Sequence, residues 1–326
     1  MNDPRFCYLV FSHREPDQVA RLVRAIRTLS PTARVIVTHD VRHSLPPDLA
    51  DDGAVEVHIR PGGAPWGSIA MVDAILDRLR ELEAIGDYDY VGVISGQDFP
   101  LRPLQPWEVE LRDSEIDALL QPHPMPGRLK WGSRRNGLAL HLTRYTHRHL
   151  RPPVLRPGTD RIRRRYRWLL QRAAANLSPI VTYLPLPGGG SILGVRRLRT
   201  PFGDQLPCRK GSSWFALSRR AVQHVLTTDD RLELRQYYSH TLCPDESYFH
   251  TAVRMNPELK VRLGPITADI FRTPFDPHPE TITPEALGDL LERAEANGAA
   301  FGRKFDTAIP GTIEALEHRL GLAALP

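Results

Sequence analysis

Cys243-Pro244-Asp245-Glu246 places two adjacent carboxylates at the start of a stretch that reads as a helix, with Phe249, Ala252 and Val253 facing inward. The dipole of a helix favours an ionised acid in its first turn, so Glu246 suits a general base that takes the proton of an attacking hydroxyl. The plainer alternative is an acid that only stabilises its helix. Successive helical side chains point roughly 100° apart, so only one of Asp245 and Glu246 faces a common crevice. Near the other end of the chain, Arg303-Lys304 stands between Phe301 and Phe305, just after a helix closed by Asn297-Gly298. A guanidinium that binds oxygens bidentately beside an ammonium point charge suits a phosphate clamp. The alternative there is a pair of surface charges.

The elements that must position these groups alternate strand and helix, as a parallel sheet with covering helices requires. Residues 6–12 form a continuous apolar run that reads as a buried strand. Val19, Leu22, Val23, Ile26 and Leu29 then recur at helical spacing between Pro16 and Pro31. Residues 34–38, 54–59 and 90–94 read as further strands, with a helix over about 66–82 after a Pro61-Gly62-Gly63 turn. Three strands run into polar residues: Ser12-His13-Arg14, His39-Asp40 and Ser95-Gly96-Gln97-Asp98. Open α/β sheets bind ligands outside the carboxyl ends of their strands, so these exits suit a nucleotide crevice. Each alone also suits an ordinary loop or cap. Later, 212–217 reads as a strand, 219–226 as a helix, and 283–297 as a helix with Leu287, Leu290, Leu291 and Ala294 on its apolar stripe.

The chain has 326 residues, 41% hydrophobic and 25% charged, a composition that excludes disorder and leaves enough length for a full core. Three cysteines, Cys7, Cys208 and Cys243, without CxxC spacing exclude a disulfide framework and a cysteine zinc site. No apolar run near the start is long enough for a leader or a bilayer span, so a cytoplasmic location is expected. The net charge of +5 is concentrated: residues 128–172 hold 14 Arg or Lys against Asp160 alone. Arg161, Arg163, Arg164, Arg165 and Arg167, interleaved with Tyr166 and Trp168, could track phosphates or lipid headgroups, or could be a solvated helical face. Residues 122–207 show no clean strand alternation and are broken at Pro152-Pro153 and 185–190. They read as a basic insertion or acceptor-side subdomain within one domain spanning 1–326.

No GxGxxG follows the first strand, and GxxxxGK[ST], GxSxG and HExxH are missing, which removes dinucleotide enzymes, P-loop kinases, serine hydrolases and zincins. His141, His147 and His149 lack a partner at ligand spacing and read as surface residues, so no metal site is expected. Asp87-Tyr88-Asp89 has the DxD form that holds a divalent ion on a sugar nucleotide, but it precedes the strand 90–94 and falls at the wrong edge of the sheet.

The ordered blocks YLVFSHRE (8–15), VIVTHD (35–40), WGS (66–68), ISGQDFPLR (94–102), KGSSWFALSRRAVQHVL (210–226), CPDESYFHTAV (243–253) and FGRKFD (301–306) resemble those of one family. It is the family of the core-2/I-branching β-1,6-N-acetylglucosaminyltransferases and the peptide O-xylosyltransferases. The resemblance implies an α/β, GT-A-like fold and an inverting transfer from a UDP-sugar with no cofactor and no metal. It puts the catalytic base on Glu246, the diphosphate contacts on Arg303 and Lys304, and an acceptor contact on Asp98. Trp214 falls beside the sugar, and His13, Arg14, His39 and Asp40 fall in blocks that contact the nucleotide.

Animal members carry a membrane anchor and disulfides, whereas this chain resembles a soluble, bacterial-type relative. The sugar expected is N-acetylglucosamine or xylose, and the acceptor a glycan, a lipid-linked glycan or a small molecule. Peripheral contact with an anionic membrane through 128–172 fits the charge, and a nucleic-acid partner is not expected. The alternative function is a polyanion-binding protein, for nucleic acid or anionic lipid, with a degenerate crevice.

Overall fold

The computed structural model of the chain describes residues 4–40, 53–60, 65–123, 125, 137–150, 160–177, 180–185, 191–203, 206–273, 276 and 278–322. Strand β1 (Phe6–Ser12) is buried along its whole length, as its unbroken apolar sequence requires of a strand covered on both faces. It lies between β2 (Arg34–Asp40) and β4 (Tyr90–Ser95), and β3 (Val55–Arg60) adds outside β2, all four in parallel. Helix α1 (Pro16–Leu29) connects β1 to β2 and buries Val19, Leu22, Val23 and Ile26, the stripe set by their spacing. Beyond β4 the sheet continues through Phe215–Ser218, antiparallel, then Ala118–Leu120 and Val261–Leu263, giving seven strands in all. Sheet and covering helices make an α/β architecture.

Several boundaries differ from the sequence reading for local reasons. Strand β2 runs on through His39 and Asp40, so both belong to the strand rather than to a loop after it. Helix α2 (Ala70–Ile85) starts later than residue 66, because Gly67 adopts a left-handed φ of 68° and its carbonyl accepts the Cys243 N–H at 3.1 Å. A Cβ there would also lie 2.8 Å from Leu242 Cδ1, so glycine allows the close approach of two loops. The helix after Ser218 continues to Leu232, and the last apolar stripe forms Leu287–Asn297, ended by Gly298 at φ 73°.

A small sheet closes over the strand ends. Asp98–Pro100 pairs antiparallel with Phe301–Arg303, which runs parallel to Thr267–Asp269. Arg303 is thereby in register with Asp98 on one side and Asp269 on the other.

The middle of the chain is more regular than its sequence suggests. Among the described residues it forms helices Gly137–Thr146 and Asp160–Leu177 and an antiparallel sheet of His147–Leu150, Ser191–Arg196 and Val181–Pro185. The Pro61-Gly62-Gly63 turn, Pro152-Pro153 and residues 186–190 lie outside the described residues. His147 is not a surface residue: it is fully buried, with Nδ1 3.1 Å from Thr146 Oγ1. Burial, and then His147, pushes His149 down to about 4. Among the described residues no helix is long and apolar enough to cross a membrane.

Candidate active site

The parallel order brings the ends of β1, β2 and β4 to one edge. Ser12 Oγ and His39 Nδ1 lie 2.8 Å apart and tie the first two strand ends together. Gly96 N–H donates to the Phe11 carbonyl at 2.9 Å, which carries the pairing of β1 and β4 to the strand ends. His13 and Arg14 are exposed at this edge, whereas His39 and Asp40 are buried. Asp87 and Asp89 lie at the opposite edge, where both carboxylates pair with Arg5 and Asp89 accepts the Arg5 backbone N–H at 2.9 Å. They serve as a turn ahead of β4.

Glu246 does not occupy the first turn of a helix. It ends a separate 3-10 turn, Pro244–Glu246, and the following helix Tyr248–Val253 begins only after Ser247, whose φ of −132° interrupts the coil. Side chains, rather than a helix dipole, hold the carboxylate. Arg144 Nη1 donates to Glu246 Oε2 at 2.9 Å, and Lys210 Nζ lies 3.0 Å from the same oxygen. Sequence reading missed both cations. Arg144 is 102 residues away in the basic segment and carried no local signal, while Lys210 opens the KGSSW block.

Asp245 and Glu246 diverge, as expected of neighbours in a tight turn. Asp245 accepts Ser213 Oγ at 2.6 Å, and burial, then Glu246, pushes its carboxyl up to about 6. The residue after Ser213 is Trp214, whose ring centroid lies 4.9 Å from the Arg303 guanidinium carbon, within cation–π range. Residues 212–214 thus separate the two carboxylates of the turn from the cations at the chain's far end. The Ser212 carbonyl is held in place by His250 Nε2 at 2.8 Å.

Arg303 is positioned from beneath by Asp98. This carboxylate has no accessible surface; Oδ2 accepts the Ser95 N–H at 2.9 Å and Thr267 Oγ1 at 3.4 Å, and Oδ1 lies 3.5 Å from Arg303 Nε. In this structure the buried carboxylate supports Arg303 from within. Burial raises Asp98 to about 6, against the pull of Arg303, and burial raises Asp269 in the same direction.

A pH effect follows from the Asp98 shift. The folded value near 6 lies above the ordinary 3.8, so the folded chain binds this proton more tightly than the unfolded chain. The contribution is fully present below 3.8 and is lost as pH rises through about 6. Asp98→Asn should therefore flatten the fall in stability across that window, read as urea midpoints against pH. An unchanged slope in the variant would show that Asp98 is not the group responsible.

Lys304 is half-buried and makes no ion pair with a described residue; burial, then Arg303 and Arg14, lower its pKa. His278 is lowered by burial and then by Lys304, Arg303 and Arg14, while Glu246 acts on it in the opposite sense. Four basic groups from β1's exit, the 278 loop and the small sheet therefore press on one another, with Glu246 within reach of the same field. Such mutual repulsion is relieved by an anion bound among them.

The large, mostly parallel sheet with its covering helices fits a GT-A-like fold. Residues 156–288 match the family described as Branch: Core-2/I-Branching enzyme. Xylosyltransferase 2 of Bos taurus is 51% identical over 49 residues, which are 14% of this chain and 6% of that protein. Xylosyltransferase 1 of Homo sapiens is 49% identical over 49 residues, 14% of this chain and 5% of that protein. Over these stretches the chain is similar to the core-2/I-branching enzymes and the xylosyltransferases. The aligned stretch spans only about 6% of the length of the curated relatives it matches.

Proposed function

We propose that the protein is an inverting glycosyltransferase that moves N-acetylglucosamine or xylose from a UDP-sugar to an acceptor hydroxyl, forming a β-linkage without a metal. The observation that supports this best is the pairing of an oriented carboxylate, Glu246, with the cluster Arg14, Arg303, Lys304 and His278 across residues 212–214.

In this reading Glu246 takes the proton of the acceptor oxygen as that oxygen forms its bond to the anomeric carbon. The anomeric carbon–oxygen bond breaks on the opposite face, and the electron pair leaves with UDP. Lys304 and Arg303 stabilise the charge that gathers on the departing diphosphate, with Arg14 at its outer side. Asp98 and Trp214 fix the plane of Arg303, and Arg144 with Lys210 fixes Glu246. His13, at the exit of β1, and the His39–Asp40 end of β2 border the nucleotide side. Residues 122–207 supply the acceptor side, for a glycan, a lipid-linked glycan or a small molecule.

The test is UDP release from a panel of UDP-sugars, with and without EDTA, backed by UDP calorimetry. Release selective for one donor and resistant to EDTA is expected. Absence of UDP binding would overturn the reading, and dependence on added divalent ion would overturn its metal-free form.

A further inference from the structure

Helix Asp160–Leu177 presents a stripe that the proposed reaction does not use. Arg165, Trp168, Leu169 and Arg172 recur at i, i+3, i+4 and i+7, which aligns them on one face, and all four are exposed, Trp168 by 53% and Leu169 by 49%. The Arg172 guanidinium carbon lies 5.2 Å from the Trp168 ring centroid, so cation and aromatic share one outward surface. Ala174, on the opposite side of the helix, is buried. The helix is thus anchored through its other face, and the mixed stripe is left to solvent.

The neighbouring sheet continues the pattern. Leu193 is in register with Leu150 and Tyr183, and Val195 with Val181, so strand alternation puts these five side chains on one face. Leu150 is 48% and Val195 39% exposed. Ile180, just before the strand Val181–Pro185, is exposed as well. Exposed apolar side chains gathered in one part of a chain mark an interaction surface rather than scatter. Charge says what kind. The helix itself carries six arginines against Asp160.

We infer that this subdomain docks on an anionic lipid bilayer, with Trp168 and Leu169 entering the headgroup boundary and Arg165 and Arg172 bound to lipid phosphates. Aromatic and aliphatic residues interleaved with arginine on one helical face are what an interfacial helix needs. A nucleic acid would take up the arginines and stack on Trp168, but Leu150, Leu169 and Val195 offer it nothing. The inference stands apart from the transferase reading, since it uses neither Glu246 nor Lys304.

The test is co-sedimentation of the full chain with vesicles of phosphatidylcholine alone and of an equal mixture with phosphatidylglycerol. Binding to the mixed vesicles and not to the neutral ones is expected. At about 1 kcal/mol per basic residue, Arg165→Gln with Arg172→Gln should weaken it about 30-fold. Trp168→Ala with Leu169→Ala should weaken it about tenfold or more. All four residues are exposed, so thermal unfolding midpoints should not move. No binding to mixed vesicles overturns the inference. So does binding that ignores the Trp168 and Leu169 changes, which would mean simple adsorption of charge. Binding to heparin or duplex DNA without binding to vesicles assigns the stripe to a polyanion instead and equally overturns it.

Discussion

Glu246→Gln should abolish sugar transfer while leaving UDP binding intact. The amide keeps the shape of the side chain but has no basic oxygen, so the attacking hydroxyl keeps its proton into the transition state. General-base catalysis contributes about 10²–10⁴ in rate, and kcat should fall by that factor with little change in donor KM. The substitution also removes one charge from the arrangement with Arg144 and Lys210, so a thermal midpoint measured beside the kinetics separates lost chemistry from lost fold. Full turnover in the variant would remove Glu246 from the mechanism. If transfer falls but unfolding shifts as much as in Arg144→Ala, the carboxylate serves the fold and not the reaction.

Lys304→Ala carries the second large effect. Lys304 has no ion-pair partner among the described residues, and it is held against its own repulsion by Arg303 and Arg14. A group arranged in that way is preorganised for an anion, and losing one such group costs about 3 kcal/mol of transition-state stabilisation, or about 10²–10³ in kcat. UDP affinity should drop as well, since the product diphosphate meets the same ammonium. Lys304→Arg should restore part of both. Unchanged UDP affinity and turnover in Lys304→Ala would place the leaving group elsewhere.

Much of the scaffold was legible because local pattern and tertiary role coincide there. The apolar run of β1 and the stripe of α1 are each decided by spacing, and the structure keeps their bounds. Strand exits were legible in the same way, because a parallel sheet puts all its carboxyl ends together. What failed was anything fixed by distant contacts. The turn at 243–246 resembles a helix start in sequence, yet the contact with Gly67 and the break at Ser247 make it a separate coil. The burial of Asp98 was not legible either, because the small sheet over it is completed by a strand about 200 residues later. Nor could spacing pair Arg144 with Glu246 or bury His147. The middle strands are short, and their partners lie across breaks, so no period of two stood out.

The strand Phe301–Arg303 is wedged between two partners, one from the chain's first third and one from its last. During synthesis most of the main sheet can assemble as it emerges from the ribosome, but Arg303 and Lys304 follow near the end. Until that strand threads into place, Asp98 is an acid without its cation. If the proposed reaction is right, newly made protein stays idle until this late strand docks, and a chain that stops before residue 301 lacks both Arg303 and Lys304.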